Sequence, residues 1–187
     1  MVVNTIFEGA VDQILDVARR FSAAVEQRGI PCRVIGGLAV YLHVDSKDPL
    51  AARLTRDVDV ALERSLLERV KEAVEPFGFR YRHAAGVDMF LPADDPRARS
   101  AIHVVFLNEK VRPEYLESVP ASAPVKTQQG ILIAPVADLV RMKLTSFRLK
   151  DKVHIQDMDS VGLITAEIEA GLSDPLRTRL AEVRATE

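Results

Sequence analysis

The amino-acid sequence predicts an α/β protein of the α+β type, in which a mixed sheet is flanked by helices and followed by a helical C-terminal part. Short apolar or alternating segments, bounded by glycine and proline, recur over residues 32–133 and indicate strands. Apolar residues at helical spacing precede these segments and dominate the chain from Pro135 onward. We therefore expect an α/β core over residues 1–134 and a helical part over residues 135–187 packed on it, either as two units or as one domain.

The chain begins with a predicted helix, a strand and a second helix. Residues 5–8 match the S/T-x-x-E capping box, and the apolar stripe after them predicts a helix that a Gly-x-Pro segment ends. Residues 32–35 predict a short strand. Gly36-Gly37 breaks this strand, and residues 38–43 predict the second helix.

The middle of the chain predicts most of the sheet. Residues 44–54 indicate a loop, and the strict alternation of residues 57–62 predicts a strand. Residues 66–74 show one apolar helical face, while residues 79–82 and 87–91 predict the two strands of a hairpin. The remaining predicted strands cover residues 101–107 and 131–133.

The C-terminal part is predicted to be helical throughout. Pro135 suits the first position of a helix whose apolar stripe extends over residues 136–147. A second helix is predicted over residues 152–161, where Gly162 ends it. Two shorter helical stretches complete the chain, and Pro175 begins the last of them.

The composition excludes several classes of protein. The 187 residues are 48% apolar and 28% charged, which is typical of a globular domain and not of a disordered chain. A net charge of −2 provides no global positive field for nucleic acid or an anionic membrane. The single cysteine, Cys32, excludes an intrachain disulfide and a cysteine-rich zinc site, and we expect it to be buried. No segment reaches the roughly 18 apolar residues that span a bilayer, so we expect a cytoplasmic protein without a membrane partner.

A pair of aspartates is the first candidate for a functional site. Because strand side chains alternate between faces, Asp57 and Asp59 point the same way, whereas Val58 and Val60 point into the core. Two such carboxylates lie about 7 Å apart at Cα and can hold one divalent cation, for which oxygen ligands favour Mg²⁺ or Mn²⁺. The alternative is an exposed strand face with two solvated acids.

The Gly36-Gly37 pair is the second candidate. Glycine lets the backbone approach a ligand closely, and the N–H groups at the start of a helix favour anions. The alternative is a tight strand-to-helix turn that merely requires glycine. Gly36-Gly37 followed by Asp57 and Asp59 is more specific as a combination than either motif alone.

The order of these two motifs resembles the nucleotidyltransferase superfamily. More narrowly, Ile35-Gly36-Gly37-Leu38-Ala39 with Leu54-Thr55-Arg56-Asp57-Val58-Asp59 is similar to the AbiEii/AbiGii toxin family of minimal nucleotidyltransferases, and the resemblance covers most of the chain. It implies a nucleotidyltransferase-like fold, a nucleoside triphosphate (NTP) as substrate and a metal held by the two aspartates. It also implies nucleotide contacts from Gly36, Gly37, Thr55 and Arg56.

A third element lies in the predicted C-terminal helices. Lys143 occupies the centre of the apolar stripe of its helix, so its ammonium must reach solvent or meet an anion. A cleft that holds Asp57, Asp59 and a triphosphate would supply that anion. Asp157 falls on the inner side of the next helix, and the family resemblance implies catalytic roles for Lys143 and Asp157. The alternative for Asp157 is an ion pair with Lys143 or Arg148.

A local basic stretch in these helices has two open interpretations. It could contact nucleotide phosphates or a nucleic-acid acceptor, and we assign Arg148 to nucleotide binding on this basis. Alternatively, it forms a solvated helix face that pairs with Asp151. The stretch comprises Arg141, Arg148, Lys150 and Lys152.

One position departs from the family pattern. Many nucleotidyltransferases carry a third carboxylate on a neighbouring strand, and here the position that fits it best carries His103. A neutral imidazole could act as a general base near neutral pH, but it is a poor ligand for magnesium. The open interpretations are a histidine base, Asp157 in that role, a domain without activity, or a structural histidine. The other histidines, His43, His83 and His154, show no metal-ligand spacing and are interpreted as structural or surface residues.

The leading functional hypothesis is metal-dependent transfer of a nucleoside monophosphate from an NTP to a protein, tRNA or small-molecule acceptor. Lys143 would offset charge that develops on the leaving pyrophosphate. The resemblance further implies a toxin of a toxin–antitoxin or phage-defence system, with an antitoxin protein as partner. One alternative is a catalytically inactive nucleotidyltransferase-fold domain that binds or regulates. Another is a module whose C-terminal helices bind a second protein.

Overall fold

The computed structural model describes residues 2–53, 55, 57–94 and 101–186, with side chains from residue 11 onward. In that part of the chain the helices are α1 (Val2–Gln27), α2 (Gly36–Asp45), α3 (Leu67–Val74), α4 (Val136–Ser146), α5 (Leu149–Ser160), α6 (Ala166–Ala170) and α7 (Asp174–Arg184). The strands are β1 (Cys32–Ile35), β2 (Val58–Leu62), β3 (Phe79–Ala84), β4 (Val87–Pro92), β5 (Ile102–Phe106), β6 (Val125–Lys126) and β7 (Leu132–Ile133).

These strands form one mixed sheet in the order β3-β4-β5-β2-β1-β7-β6. In its centre, β1 pairs antiparallel with β2 and parallel with β7, and β2 pairs parallel with β5. The β3–β4 hairpin forms one edge of the sheet, and β6 forms the other. A mixed sheet flanked by helices confirms the predicted fold class.

The helices pack on the sheet in two groups. α1 packs on β1 and α3, while α2 packs on β2, α4 and α5, and α7 packs on both α4 and α5. The apolar core contains side chains from both predicted parts, among them Phe21, Leu62 and Phe90 before residue 134 and Leu144 and Leu176 after it. Because the two parts share this core, their division at residue 134 stays a prediction.

Several helix starts differ from the sequence-based expectation, and α2 begins at Gly36 and not at residue 38. α1 begins at Val2, so the predicted capping box over residues 5–8 lies inside the helix and does not begin it. α5 begins at Leu149 and not at residue 152. The reason is a local cap, because the backbone N–H of Arg148 donates to Asp151 Oδ2 at 3.2 Å and starts the new helix directly after α4.

Smaller features of the fold also bear on the predictions. Cys32 is buried at the start of β1, and burial raises the pKa of its thiol to about 12, which makes it an unreactive packing residue.

β6 was not predicted, because two residues are too short to show an alternating pattern. Within the residues that the structure describes, no helix has both the length and the apolar character needed to cross a bilayer.

Candidate active site

A cavity of about 780 Å³ lies where β1 ends and β2 and β5 begin. Its other walls come from the start of α2, from α4, from the turn into α5 and from residues 111–119. The predicted site residues that line it are Gly36, Gly37, Thr55, Asp57, Asp59, His103, Lys143 and Arg148. Of the other two, Asp157 is not among the described lining residues, and Arg56 lies outside the residues that the structure describes.

One side of the cavity is an acidic edge, which we define as Asp57, Asp59 and His103. Asp59 is the second residue of β2, and Asp57 comes directly before the strand. Val58 and Val60 are buried, whereas Asp57 is exposed and the Asp59 side chain is 33% exposed. The alternation of the strand therefore brings both carboxylates to the cavity.

His103 lies beside Asp59 because β5 pairs with β2 in the register that aligns these two residues. Its Nδ1 lies 3.5 Å from Asp59 Oδ1. A hydrogen bond with the Asp59 carboxylate raises the pKa of His103, against the opposing effect of partial burial. A raised pKa favours the imidazolium, which cannot accept a proton, so this contact weakens the interpretation of His103 as a general base.

The two glycines of the first turn of α2 fit against the acidic edge. Gly36 has a φ of +70°, and a Cβ at this position would overlap Asp59 Oδ2. A Cβ at Gly37 would lie 2.9 Å from Thr55 Oγ1. Glycine is therefore required here so that the Asp59 carboxylate and the Thr55 hydroxyl can lie against the backbone. The sequence alone predicts a different requirement, namely the approach of a phosphate.

The other side of the cavity is a basic wall, which we define as Lys143, Ser146 and Arg148 together with Asp151 behind them. The Lys143 residue is only 6% exposed, and its Nζ donates to Asp151 Oδ1 at 3.1 Å. Burial lowers the pKa of Lys143, whereas the charges of Asp151 and Asp59 oppose this shift. The anion that Lys143 contacts directly is thus Asp151, a partner that the sequence pattern does not predict for it.

Asp151 also holds the turn between α4 and α5. Its Oδ2 accepts hydrogen bonds from Arg148 Nε at 2.8 Å and from Ser146 Oγ at 2.8 Å. Burial alone would raise the pKa of Asp151, but the bonds from Arg148 and Ser146 and the charge of Lys143 outweigh it and lower the pKa to about 2. The side chain of Arg148 remains 52% exposed and reaches the cavity.

Asp157 occupies a different environment. Its side chain is 8% exposed, and its Oδ1 accepts from Nε of the exposed Arg53 at 2.9 Å. Burial raises the pKa of Asp157, and the bond from Arg53 opposes this shift. The predicted ion pair exists with Arg53 and not with Lys143 or Arg148. A catalytic role for Asp157 therefore gains no support from the cavity.

His154 lines the cavity although no spacing in the sequence marks it. A Cβ at Gly37 would lie 3.4 Å from its Cε1. Burial and the charge of Lys143 lower the pKa of His154 to about 4. Its Nδ1 is buried and has no hydrogen-bond partner among the described residues. A neutral imidazole thus lines the cavity. His154 was predicted to be a structural or a surface residue, and its partial burial favours the first of these alternatives.

The segment between β5 and β6 contributes a further wall that the sequence does not predict. It is held by hydrogen bonds from Asn108 N to Val119 O at 2.8 Å and from Val119 N to Glu109 O at 2.9 Å. Only its length without regular structure could have drawn attention to it, since long loops are frequently functional. Its lining residues are Val111, Arg112, Tyr115, Glu117, Ser118 and Val119.

The acidic edge fits a divalent cation by its donor chemistry. Mg²⁺ is usually bound by one or two carboxylates and takes its other ligands from water and substrate phosphates. The absence of a Cβ at Gly36 leaves the space that the Asp59 carboxylate uses. No group of three His, Cys, Asp or Glu with metal-site geometry occurs within the described part of the chain. Two carboxylates would therefore be the protein's contribution, and the remaining ligands would come from substrate and water.

Comparison with known proteins gives a likeness of structure. No protein-family model and no curated protein matches the chain. The crystal structure of an antigenic nucleotidyltransferase-like protein from Paracoccidioides brasiliensis matches with a TM-score of 0.60 and 16% identity, over 94% of this chain and 89% of that one. The solution structure of the antibiotic-resistance factor ANT(2'')-Ia matches with a TM-score of 0.52 and 13% identity, over 92% of this chain and 91% of that one. The predicted nucleotidyltransferase-like fold is confirmed, whereas kinship with the AbiEii/AbiGii family stays a prediction.

Proposed function

We propose that this protein is a metal-dependent nucleotidyltransferase, which transfers a nucleoside monophosphate from an NTP to an acceptor. The observation that carries the proposal is a single cavity in which the acidic edge and the basic wall face the same space. An NTP with a divalent cation has both matching features, since the cation suits carboxylates and the phosphates suit lysine and arginine. The nucleotidyltransferase-like fold supports this proposal at the level of architecture.

Asp57 and Asp59 would hold Mg²⁺ or Mn²⁺, which supplies charge neutralisation at the phosphate oxygens when bound. The N–H groups of Gly36 and Gly37 open α2 without a side-chain cap, so they are suited to donate to phosphate oxygens. Lys143 and Arg148 would donate to the leaving pyrophosphate and stabilise its developing charge. Thr55, which lies against Gly37, and Arg56 complete the nucleotide contacts that we propose.

The acceptor hydroxyl must lose a proton during transfer. Within the acidic edge, His103 lies 3.5 Å from Asp59 and could take this proton, but only in its neutral form. Engagement of the Asp59 carboxylate by a cation would remove the interaction that raises the pKa of His103. Transfer by this route therefore requires the metal and a neutral His103 at the same time.

We further propose a biological setting from the motif resemblance. Residues 35–39 and the segment around Asp57 and Asp59 resemble the AbiEii/AbiGii toxins, which favours a toxin of a toxin–antitoxin or phage-defence system. In that setting the acceptor would be a protein or a tRNA, and an antitoxin protein would bind the chain. A small-molecule acceptor is the alternative. Kinship of sequence motifs is the sole support for this level of detail.

A second candidate function follows from one specific contact. By the family resemblance, His103 takes the position of a third carboxylate that would assist turnover, and its Nδ1 lies 3.5 Å from Asp59 Oδ1. A protonated His103 would occupy the carboxylate that the metal requires. A nucleotide-binding domain without transfer activity is therefore the rival proposal.

Calorimetric titration of NTPs with and without Mg²⁺, combined with pyrophosphate release, distinguishes the two. We expect Mg²⁺-dependent binding in the natural chain, and its loss in the double variant Asp57→Ala/Asp59→Ala. Glu63→Gln is the matched control, because Glu63 is an exposed acid just past the opposite end of β2. Binding that the double variant leaves unchanged would eliminate the metal-dependent enzyme. Binding without pyrophosphate release, with protein, tRNA or small-molecule acceptors present, would favour the rival.

A further inference from the structure

Asp151 is a fully buried carboxylate that contacts two cations of the candidate active site. It accepts hydrogen bonds from Lys143 Nζ at 3.1 Å and Arg148 Nε at 2.8 Å. Lys143 and Arg148 line the cavity, as does Ser146, which also donates to Asp151. Asp151 itself is not among the described lining residues. It therefore stands directly behind the wall that the ligand would meet.

Stability alone does not account for this arrangement. A buried ion pair is a weak stabiliser, since the cost of removing charges from water offsets much of their attraction. A lysine ammonium has three N–H donors and an arginine guanidinium has five. Asp151 uses one donor of Lys143 and two side-chain nitrogens of Arg148. The two side chains thus retain donors for a second anion on the cavity side.

The charge of the cluster indicates the class of that anion. Lys143 and Arg148 each carry one positive charge and Asp151 carries one negative charge, so the cluster keeps a net charge of +1 beside the cavity. Both cations contact one carboxylate and both line the cavity, so an anion with several oxygen atoms could bind to the two together. A polyphosphate satisfies both conditions.

Contacts of Phe147 and Arg179 hold the turn that carries Arg148. Phe147 adopts a left-handed conformation with φ of 51°. Its ring centre lies 4.1 Å from Lys152 Nζ and 4.8 Å from the guanidinium carbon of Arg179. Arg179 Nη1 also donates to Leu144 O at 2.7 Å, at the end of α4. With the backbone held in this way, the direction of the Arg148 side chain depends on Asp151.

We propose that Asp151 is a positioning residue that holds Lys143 and Arg148 as one clamp for the polyphosphate of the substrate. The identity of the ligand as a nucleotide rests on the proposed function, whereas the clamp itself requires only an oligophosphate anion. Asp151 touches no ligand and acts through the two cations.

The substitution Asp151→Asn distinguishes a positioning role from a purely electrostatic role. The two roles predict opposite changes in the affinity of the protein for an anion. Loss of a negative charge beside the cavity would, by Coulomb attraction alone, tighten the binding of an anion. Loss of positioning weakens binding, because Arg148 loses its orientation and the buried Lys143 loses the partner that keeps it protonated.

The experiment is calorimetric titration of the full chain with inorganic tripolyphosphate in the presence of EDTA, so that no divalent cation takes part. We expect measurable binding by the natural chain and a dissociation constant about tenfold higher for Asp151→Asn. Unchanged or tighter binding by Asp151→Asn would overturn the proposal, as would the absence of tripolyphosphate binding by the natural chain. Asp159→Asn is the matched control, because it also removes a two-bond pair on α5, with Arg184. Within the described part of the chain, the Asp159 side chain has no hydrogen bond to a residue that lines the cavity.

A second comparison keeps the proposal testable if Asp151→Asn does not fold. Lys143→Met/Asp151→Asn leaves no uncompensated charge in the buried pair, and such neutral replacements are usually tolerated. Against Lys143→Met alone, the double variant isolates the effect of Asp151 on Arg148. We expect a further weakening of tripolyphosphate binding by about threefold, and equal affinities would contradict the role of Asp151.

The same measurements separate this proposal from the proposed function. Tripolyphosphate binding that depends on Asp151, in a chain that never releases pyrophosphate from an NTP, would retain the clamp and reject the enzyme. Pyrophosphate release with a Michaelis constant that Asp151→Asn leaves unchanged would retain the enzyme and reject the clamp.

Discussion

The acidic edge and the basic wall face the same cavity but are built in different ways. In the acidic edge, Asp57 is exposed and the Asp59 side chain is 33% exposed, and both are positioned by one strand. In the basic wall, Asp151 and Lys143 are buried and joined by a direct hydrogen bond. Contacts within the protein thus hold the groups of the wall, whereas the acidic edge directs its carboxylates toward the cavity. We infer that the wall sets where the phosphates bind and that the edge sets the dependence on metal.

Of the substitutions that distinguish the acidic edge from the basic wall, Gly36→Ala is expected to have the largest effect. The new Cβ would overlap the Asp59 carboxylate and move it, while the positive φ adds a strain of about 1 kcal/mol. Nucleotidyl transfer should fall about a hundredfold, while tripolyphosphate binding at the basic wall should change little. Initial rates and calorimetry measure these two effects.

Gly162→Ala is the matched control for that variant. Gly162 has nearly the same φ, +71°, and among the residues that the structure describes no neighbouring atom lies within 4 Å of an added Cβ. It should lose a similar amount of stability without any loss of transfer. If both variants lost activity equally, backbone strain and not the position of Asp59 would be the cause.

The substitution His103→Asp is expected to strengthen metal binding at the acidic edge, whereas Gly36→Ala impairs that edge. A third carboxylate next to Asp59 should tighten Mn²⁺ binding by about tenfold, since affinity rises with the number of charged oxygen ligands. Without metal, repulsion between the acids should lower the melting temperature. Calorimetry with Mn²⁺ and thermal unfolding in EDTA test the two signs, with His103→Asn as the neutral control. Weaker Mn²⁺ binding in His103→Asp would show that the position does not face the cation.

A smaller effect is expected from the pair formed by Arg53 and Asp157. Arg53→Ala leaves the carboxylate of Asp157 buried without a partner and should lower the free energy of unfolding by about 1–2 kcal/mol. Asp157→Asn should have a similar effect, and the double variant should lose less than the sum. Urea unfolding measures this coupling. If Asp157 were catalytic, Asp157→Asn would instead abolish transfer while Arg53→Ala retained it.

The smallest expected effect is on the pH dependence of stability. The pKa of His154 is lowered from 6.5 to about 4 by burial and by Lys143, so the unfolded chain binds its proton first as the pH falls. The contribution of His154 is therefore complete above pH 6.5 and is lost as the pH falls toward 4, by about 1 kcal/mol given its partial exposure. Urea unfolding at pH 7 and pH 5 tests this. Between these two pH values the free energy of unfolding should fall less for His154→Gln than for the natural chain. His103 acts in the opposite direction, because its raised pKa stabilises the fold at low pH.

Much of the acidic edge could be predicted from local sequence alone. Alternation along β2 is a property of the strand itself, so Asp57 and Asp59 share a face whatever packs around them. Gly36 and Gly37 mark the change from strand to helix in the same local way. These predictions depend on contacts between near neighbours in the chain, which explains why they needed no knowledge of the tertiary structure.

The basic wall shows where local reasoning ends. The apolar stripe of α4 indicates that Lys143 is turned inward, but the identity of its anion depends on the angle between α4 and α5. The sequence suggests Asp157 as an ion-pair partner of Lys143, but packing pairs Lys143 with Asp151 and Asp157 with Arg53. His154 enters the site for the same reason, through the packing of α5 on α2.

Taken by itself, the sequence determined the fold class, the pair of aspartates at the start of β2 and the glycines at the start of α2. Strand alternation, helical periodicity and glycine geometry are local physical properties, and they survive in any fold that contains these segments. Only the tertiary structure decided which charges meet, because ion pairs between distant residues depend on how helices and strands pack. The buried partnership of Asp151 with Lys143 and Arg148 is the clearest case, since it requires α4, α5 and the turn between them to be in place together.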